Sequence, residues 1–527
     1  MTSKEKQRAS GFSRREFMGT MGAVAWSASS FGARQPQPSH HRGFVLREDR
    51  FSRMFPRLSP FASPSPELEA ALVELGKPGG ILDAKDALDR GPIDLIVDPA
   101  LSANNPENTT HTAGATFMGQ FMDHDMTFDL TSKLGEPAEP SESPNARTPA
   151  FDLDSVYGGG PEASRELYER AGRWRGGFPT KFKVESGGLF EDLPRDSDGT
   201  AIISDPRNDE NLMIAGLQAA FLKFHNNAVD LVRDSYRRLD AEEVYWKARQ
   251  LTTWHYQWIV VHEILPLFCG QDRVDEILND GRRFYRPRGV TIPVEFQGAA
   301  YRFGHSMVRP SYRANLAGDE GGAPFFGLIF DPSQEGASDP TDLRGGARAR
   351  RRFIGWQTFF DFGDGEVKPN KIIDTKISTP LLNLPLGTIP DQTPPTSLPQ
   401  RNLLRQVTWE LASGQSIARF MRVPALTPDQ LSELAPLGQN LDSSTPLWYY
   451  CLKEAEVMES GLHLGPVGGR IVGEVILGLL ALDRKSYFSS RRRWRPTLPT
   501  RSGQATGDFR MVDFLAFAGV DPESRGQ

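Results

Sequence analysis

The chain has 527 residues, of which 38% are hydrophobic and 24% are charged. It carries 61 Lys and Arg against 67 Asp and Glu, and this net charge of −6 gives no electrostatic reason to expect nucleic acid as a partner. No apolar run reaches the length that crosses a bilayer, which excludes a polytopic membrane protein and predicts no stable membrane insertion. The 50 Gly and 40 Pro predict a loop-rich globular protein.

The first 33 residues have the pattern of an export signal. Arg14 and Arg15 are followed by Phe17, and the weakly apolar stretch 19–33 is rich in Ala, Gly and Ser. This pattern resembles a bacterial twin-arginine signal, the alternative being a disordered basic tail. We therefore predict a periplasmic or extracellular protein, with a signal over 1–33, a linker over 34–50 and one large domain over 51–527.

Helical spacing dominates the rest of the chain. Apolar residues recur at helical intervals within 211–238, 241–266 and 467–482, whereas the alternation typical of strands is scarce. The class is therefore mainly α, and the Pro- and Gly-rich segments 310–350 and 385–400 are expected to be loops. Cys269 and Cys451 are too few for a disulfide framework, although one bridge between them stays open.

Two histidines stand beside residues that suit chemistry. His124 lies between Asp123 and Asp125, which offers it a fixed orientation, although such triplets also occur on ordinary surfaces. His305 follows Gly304, which permits close approach of a flat or bulky group, but a buried core histidine would give the same pattern. Neither histidine is diagnostic when it is considered alone.

A third candidate is the segment 148–154, which reads TPAFDLD. The hydroxyl of Thr148 and the carboxylates of Asp152 and Asp154 alternate at even spacing, so hard oxygen ligands can converge on one Ca²⁺. The alternative is a solvated turn.

Five motifs in order resemble the animal-type haem peroxidases of the peroxidase–cyclooxygenase superfamily, particularly the bacterial members. The motifs are GQFMDHD (119–125), TPAFDLDSVYGGG (148–160), DPRNDEN (205–211), YRFGHS (301–306) and LPQRNLLR (398–405). The likeness runs from about residue 51 to the C-terminus. It implies a mainly α, loop-rich fold that holds haem b between a distal and a proximal helix.

The resemblance also implies roles for individual residues. His305 matches the proximal ligand of haem iron, and the side chain of Asn402 is expected to accept a hydrogen bond from its other ring nitrogen. His124 matches the distal base, which moves the proton of H₂O₂. Arg207 matches the distal arginine that stabilises the charge developing during O–O cleavage, and Gln120 matches the distal glutamine.

The same resemblance implies a Ca²⁺ site and two carboxylates near the haem. Asp125 and the 148–154 loop would supply the calcium ligands, namely Thr148, the Ala150 carbonyl, Asp152 and Asp154. Asp154 stands where mammalian members usually carry Ser, and its extra charge is expected to strengthen binding. Asp123 and Glu210 match the positions that form esters with haem, although each can equally be a polar neighbour of its edge.

The resemblance implies a haem peroxidase that reduces H₂O₂ and oxidises halide, thiocyanate or small aromatic donors through a ferryl intermediate. The main alternative is a haem-dependent fatty-acid dioxygenase, which needs a tyrosine three residues before the proximal histidine. That position is Arg302, and Tyr301 is one residue away. A third alternative, an exported adhesion or matrix protein with the same fold, predicts broken catalytic residues, and His124, Arg207 and His305 argue against it.

Overall fold

The structure is a computed structural model, described for residues 47–170, 177–186, 190–317, 322–346, 350–389, 392–490 and 494–526. The signal expected at 1–33 and most of the linker expected at 34–50 lie outside these residues. Within the described part of the chain, no helix combines the length and the apolar character needed to cross a membrane.

Helices carry most of the regular structure, which confirms the mainly α, loop-rich class. The two longest begin with side-chain caps: Asn211 accepts from the Ile214 amide, and Asp240 and Glu243 form a capping box. The α-helices are α1 Pro66–Leu75, α2 Gly91–Val97, α3 Ala113–Met126, α4 Asp154–Tyr157, α5 Gly160–Ala163, α6 Leu212–Ser235, α7 Ala241–Ile259, α8 Leu265–Cys269, α9 Gln271–Asp280, α10 Val294–Gln297, α11 Leu398–Thr408, α12 Gly414–Met421, α13 Leu447–Glu459, α14 Pro466–Leu482 and α15 Met511–Ala518.

In the described residues the strands form four separate two-stranded pairs, of which β1 with β5 is parallel and the others are antiparallel. The other pairs are β2 with β8, β3 with β4 and β6 with β7. The strands are β1 Arg47–Ser52, β2 Glu107–Thr112, β3 Glu185–Ser186, β4 Glu191–Asp192, β5 Val290–Pro293, β6 Ser311–Asn315, β7 Phe325–Leu328 and β8 Pro369–Lys371.

Two sequence-based expectations about loops are wrong in part. The segment 310–350 contains the antiparallel pair β6–β7, whose inward residues include the buried Tyr312 and Phe325. The segment 385–400 already contains the start of α11, where Pro399 lies in the first turn. Proline is well tolerated there because the first helical amides have no partner within the helix.

The core is built on α6, α7 and α14. Helix α6 packs along α7, and a π-helical turn over Val260–Ile264 continues α7 into α8. Helix α14 is buried on nearly all sides, and a Cβ on its Gly478 would lie 2.4 Å from the Tyr285 ring. Each buried Leu, Ile or Val side chain in this core contributes about 1.5–3 kcal/mol.

Both cysteines are free thiols buried in this core, Cys269 at the end of α8 and Cys451 on α13. The bridge that the sequence left open is therefore not formed.

Three elements surround the candidate site. Helix α3 packs on α6, where Phe121 and Phe221 stack with ring centroids 4.5 Å apart. A 3-10 helix over Ala300–His305 contacts α3, because the Tyr301 hydroxyl donates to the Gly119 carbonyl at 3.1 Å. Helix α11 lies on the other side of this 3-10 helix and brings Asn402 to His305.

Candidate active site

Helix α3 presents three of the expected residues on one face. Gln120, Asp123 and His124 are spaced at i, i+3 and i+4, which places their side chains side by side along a helix. His124 is 4% exposed, so its ring is almost completely shielded from bulk solvent.

A chain of amides fixes the protonation of His124. The Asn208 amide nitrogen donates to Gln218 Oε1 at 2.9 Å, so its oxygen faces His124 Nδ1, also at 2.9 Å. Nδ1 therefore carries the hydrogen and Nε2 keeps its lone pair. Burial and the charge of Arg207 lower the pKa of His124 to about 3, which keeps the ring neutral. Sequence reasoning missed Asn208, although it directly follows Arg207 in the DPRNDEN motif.

Arg207 is held on three sides. Its Nε and Nη2 donate to the two carboxylate oxygens of Asp205 at 3.0 and 2.8 Å, and Nη2 also donates to the His124 carbonyl. The guanidinium lies over the Phe128 ring, 4.0 Å from its centroid. Among the described residues Nη1 has no hydrogen bond and lies 3.8 Å from Asp123 Oδ2. One donor of a fixed cation is therefore available beside His124.

Gln120 and Glu210 form one polar cluster with Asn211. Gln120 Nε2 donates to Glu210 Oε2 at 3.1 Å, and Asn211 Nδ2 donates to Gln120 Oε1 at 3.2 Å. Glu210 Oε2 lies 3.9 Å from His124 Nε2. The side chains of Asp123 and Glu210 are 35% and 29% exposed, so both carboxylates can be reached from the open space of the site. Ester formation through Asp123 and Glu210 stays a prediction.

Asn402 on α11 pairs with His305. The Asn402 amide nitrogen lies 2.8 Å from His305 Nδ1, and its oxygen accepts from Arg302 Nη1 at 3.2 Å. This amide orientation is the reverse of the expected one, in which Asn402 accepts from the ring. The physical reason is Arg302, because a guanidinium can only donate and therefore draws the amide oxygen toward itself.

The surroundings of His305 fit an iron ligand. Burial and the charge of Arg302 lower the pKa of His305 to about 3, so the imidazole is neutral, as metal ligation requires. Its Nε2 has no hydrogen-bond partner in the described part of the chain. A Cβ on Gly304 would meet no atom within 4 Å, so open space for a flat group lies beside the histidine. Ligation through Nε2 would need a hydrogen on Nδ1, and hence a 180° rotation of the Asn402 amide.

Three guanidinium groups cluster near this histidine. Burial and the neighbouring charges of Arg405 and Arg401 lower the pKa of Arg302 to about 10. Arg405 pairs with Asp129 at 3.1 Å, and Arg401 donates to backbone carbonyls. Asp123 and Asp129 offset part of this positive charge, and the remainder suits the propionate groups of haem. Arg401 and Arg405 were missed, although they flank Asn402 in LPQRNLLR.

The acidic residues expected to bind Ca²⁺ meet beside α3. One carboxylate oxygen from each of Asp125, Asp152 and Asp154 lies within 4.8 Å of the others. Asp125 Oδ2 and Asp154 Oδ1 are buried and have no hydrogen-bond partner among the residues that the structure describes. Burial and the charges of Asp152 and Asp154 raise the pKa of Asp125 well above its ordinary value. Such orphaned oxygens fit a hard divalent cation, which would neutralise the cluster.

Thr148 and Ala150 lie in the same loop. The Thr148 amide and hydroxyl both donate to Asp154 Oδ2, at 2.9 and 3.0 Å. Ala150 is buried and its amide donates to the Thr148 carbonyl. The structure therefore brings Thr148 and Ala150 into the loop that carries the acidic cluster, while their coordination of an ion stays a prediction.

One neighbour changes the expectation for Asp154. The Arg147 guanidinium lies 3.6 Å from Asp154 Oδ1 and 2.8 Å from Asp205 Oδ2. Arg147, which is shared with Asp205, therefore offsets part of the charge that Asp154 adds to the acidic cluster.

Part of the chain is similar in sequence to known haem peroxidases. Residues 129–325, less than half of the chain, match the family model of the animal haem peroxidases. This segment contains Arg207 and His305, whereas His124 and Asn402 lie outside it. The human protein named Probable oxidoreductase PXDNL is 29% identical over 222 residues, which are 39% of this chain and 15% of that protein. Matches to the curated relatives cover 7 to 22% of their length.

Solved structures share the fold at low sequence identity. Peroxidase A from Dictyostelium discoideum superposes with a TM-score of 0.58 at 16% identity, covering 88% of this chain and 95% of that one. A fatty acid alpha-dioxygenase from Arabidopsis thaliana gives a TM-score of 0.52 at 15% identity, covering 89% and 76%. The chain therefore has the mostly helical fold that these peroxidases and dioxygenases have in common.

Proposed function

We propose that this protein is a haem peroxidase that reduces H₂O₂ and oxidises halide, thiocyanate or small aromatic donors. The observation that carries the proposal is the distal pair: a neutral His124 with its Nε2 lone pair free, beside an Arg207 held in place with one donor to spare. The family match over 129–325 supports it. Bound haem would supply the redox chemistry that peroxide reduction needs.

In this proposal His124 Nε2 accepts a proton from H₂O₂ and returns it to the departing oxygen. Asn208 keeps Nδ1 protonated, so the same nitrogen serves both steps. Arg207 Nη1 donates to the peroxide and stabilises the negative charge that develops on the oxygens. Its bonds to Asp205 prevent the guanidinium from turning away.

His305 Nε2 would bind the iron, and Asn402 would orient the ring. Arg302, Arg401 and Arg405 would pair with the haem propionates. We further propose that Ca²⁺ binds Asp125 and the loop over Thr148–Asp154, that Asp123 and Glu210 lie at the haem edge, and that a twin-arginine signal exports the protein.

The test uses purified protein supplied with haem and four donors: bromide, iodide, thiocyanate and guaiacol. We expect a Soret band that changes on H₂O₂ addition, and peroxide-dependent oxidation of at least one donor. His124→Ala should retain haem and slow the reaction with peroxide by about 10²–10⁴-fold, because a general acid–base is lost. The control His463→Ala, which changes a half-buried histidine paired with Glu459, should react as the wild type does.

His305→Ala should lose haem or shift the Soret band. Full haem content with an unchanged spectrum in this variant would contradict the ligand assignment, and an unchanged peroxide rate in His124→Ala would assign the proton to another group.

Dioxygenase chemistry is the second candidate, favoured by the buried Tyr301 at the contact with α3. Its hydroxyl is bonded to the Gly119 carbonyl, and Arg302 occupies the position where a dioxygenase needs its tyrosine. Hydrogen abstraction needs the radical oxygen at reactive distance from the substrate, and about 1 Å of misplacement can cost on the order of 10²-fold. We therefore expect no sustained oxygen uptake with linoleate. Rapid uptake that disappears in Tyr301→Phe would favour the dioxygenase.

A further inference from the structure

Arg147 lies between the acidic cluster and the segment that carries Arg207. Its side chain is 9% exposed, so it cannot direct its charge to solvent. Nη1 lies 3.6 Å from Asp154 Oδ1, Nε lies 2.8 Å from Asp205 Oδ2, and Nη2 donates to the Ser204 carbonyl. One buried cation is therefore shared between two carboxylates that belong to different parts of the site.

Asp205 is the second link. It is fully buried and binds Arg207 through both carboxylate oxygens. Although burial opposes its ionisation, the charges of Arg207 and Arg147 hold the pKa of Asp205 well below its ordinary value. A single carboxylate thus divides its charge between the arginine beside His124 and the arginine beside the acidic cluster.

The backbone joins the same two regions. Arg147 directly precedes Thr148 of the acidic loop, and the Ser204 hydroxyl donates to the Asp154 carbonyl at 3.0 Å. The path from Asp154 through Arg147 and Asp205 to Arg207 is therefore continuous, and most of it is buried.

We propose that Arg147 is a positioning residue that couples occupancy of the cation site to the strength with which Arg207 binds an anion. This inference rests on the proposed function. A divalent cation on Asp154 repels Arg147 and displaces its charge toward Asp205. Arg147 then neutralises more of the negative charge of Asp205. Asp205 therefore offsets less of the positive charge of Arg207, and Arg207 attracts an anion beside His124 more strongly.

The test measures linkage between Ca²⁺ and fluoride in the haem-loaded protein. Fluoride affinity is determined by absorption with saturating Ca²⁺ and after chelation, and Ca²⁺ affinity by calorimetry with and without fluoride. We expect Ca²⁺ to tighten fluoride binding at least about fivefold, and fluoride to tighten Ca²⁺ binding by the same factor, because coupling between two binding sites is reciprocal.

Arg147→Met should bind both ligands with the coupling reduced to less than about twofold, and Arg147→Lys should retain part of it. A merely structural role would lower stability without reducing the coupling between Ca²⁺ and fluoride. The matched control is Arg195→Met, which changes a buried arginine paired with Asp192 and Asp209. In the described part of the chain Arg195 makes no ion pair with the acidic cluster, so this variant should couple as the wild type does.

Coupling of wild-type size in Arg147→Met overturns the proposal. If Arg147→Met does not fold, the other two variants decide. The proposal is then overturned if Arg147→Lys keeps the full coupling while Arg195→Met loses part of it. The Arg147 proposal is also overturned if the wild type binds haem and Ca²⁺ but Ca²⁺ does not change the fluoride affinity. This outcome leaves the proposed peroxidase function intact. If the wild type does not bind haem, both proposals are overturned.

Discussion

At the scale of single residues, Asn208 selects the working nitrogen of His124. The Asn208 amide can present its oxygen to the ring because Gln218 accepts from its nitrogen. A second acceptor on the other side of an asparagine is what fixes its orientation. In the proposed reaction, Asn208 would therefore act through His124 and not on the peroxide itself.

We predict that Asn208→Leu slows the reaction with H₂O₂ at least about tenfold without loss of haem, because the protonated nitrogen of His124 is no longer fixed. Asn208→Asp keeps an acceptor at Nδ1 and should lose less. Stopped-flow absorption at the Soret band measures both rates. Equal rates in wild type and Asn208→Leu would mean that α3 alone fixes the orientation of the His124 ring.

Arg147 and Arg302 each change the behaviour of a neighbouring side chain through a single positive charge. Arg147 offsets the carboxylate of Asp154, and Arg302 sets the direction of the Asn402 amide. The residue types at 154 and 402 do not reveal which arginine lies beside them.

At the scale of elements, the segment that carries Arg207 and Asn208 is held by a second loop. The Leu212 amide donates to the Leu343 carbonyl at 2.9 Å, and the Gly345 amide donates to the Glu210 carbonyl at 2.9 Å. A Cβ on Gly345 would lie 1.6 Å from the Asp209 carbonyl oxygen. Glycine is thus required at 345 by the close approach of two backbones.

We predict that Gly345→Ala destabilises the protein by about 1–3 kcal/mol, the usual cost of overpacking, and lowers the peroxide rate as the Arg207 segment shifts. Thermal unfolding and the Soret reaction rate check the two effects. Gly387→Ala is the control, because its Cβ would meet only the end of the Glu335 side chain at 3.3 Å. Wild-type behaviour of Gly345→Ala would show that the loop is not a support.

At the scale of the whole molecule, the site joins regions that are distant in the sequence. His124 comes from α3, Arg207 from the segment before α6, His305 from a 3-10 helix and Asn402 from α11. The acidic cluster lies where α3 meets the start of α4, because Asp125 lies on α3 and Asp154 is the first residue of α4. A cation there would stabilise the tertiary arrangement of the distal side.

We predict that chelation of Ca²⁺ lowers the melting temperature and alters the Soret band together. An ion that binds only the folded state stabilises it by about 2.7 kcal/mol at a hundredfold excess over its Kd. Differential scanning calorimetry and absorption, with and without a chelator, measure the effect. Asp125→Asn should melt at the same temperature in both conditions, and a wild type insensitive to chelation would leave the 148–154 loop as an ordinary turn.

Three long helices and the motif residues could be predicted from the sequence. Helices expected within 211–238, 241–266 and 467–482 appear as Leu212–Ser235, Ala241–Ile259 and Pro466–Leu482. Helical periodicity is a local property, so it can be read without knowledge of the fold. The motifs likewise indicated His124, Arg207 and His305 before any geometry was known. The signal over 1–33 and the domain limits stay predictions.

The groups that contact these residues could be identified only in the folded structure. The strands β6 and β7, in a segment expected to be a loop, pair with each other, and their carbonyls also accept from the Gly355 and Leu343 amides of later segments. Asn208 against His124, Arg302 against Asn402 and Arg147 between Asp154 and Asp205 are contacts between separate segments. Their energies depend on distance and burial, which the packing of the folded chain sets and a local sequence pattern does not contain.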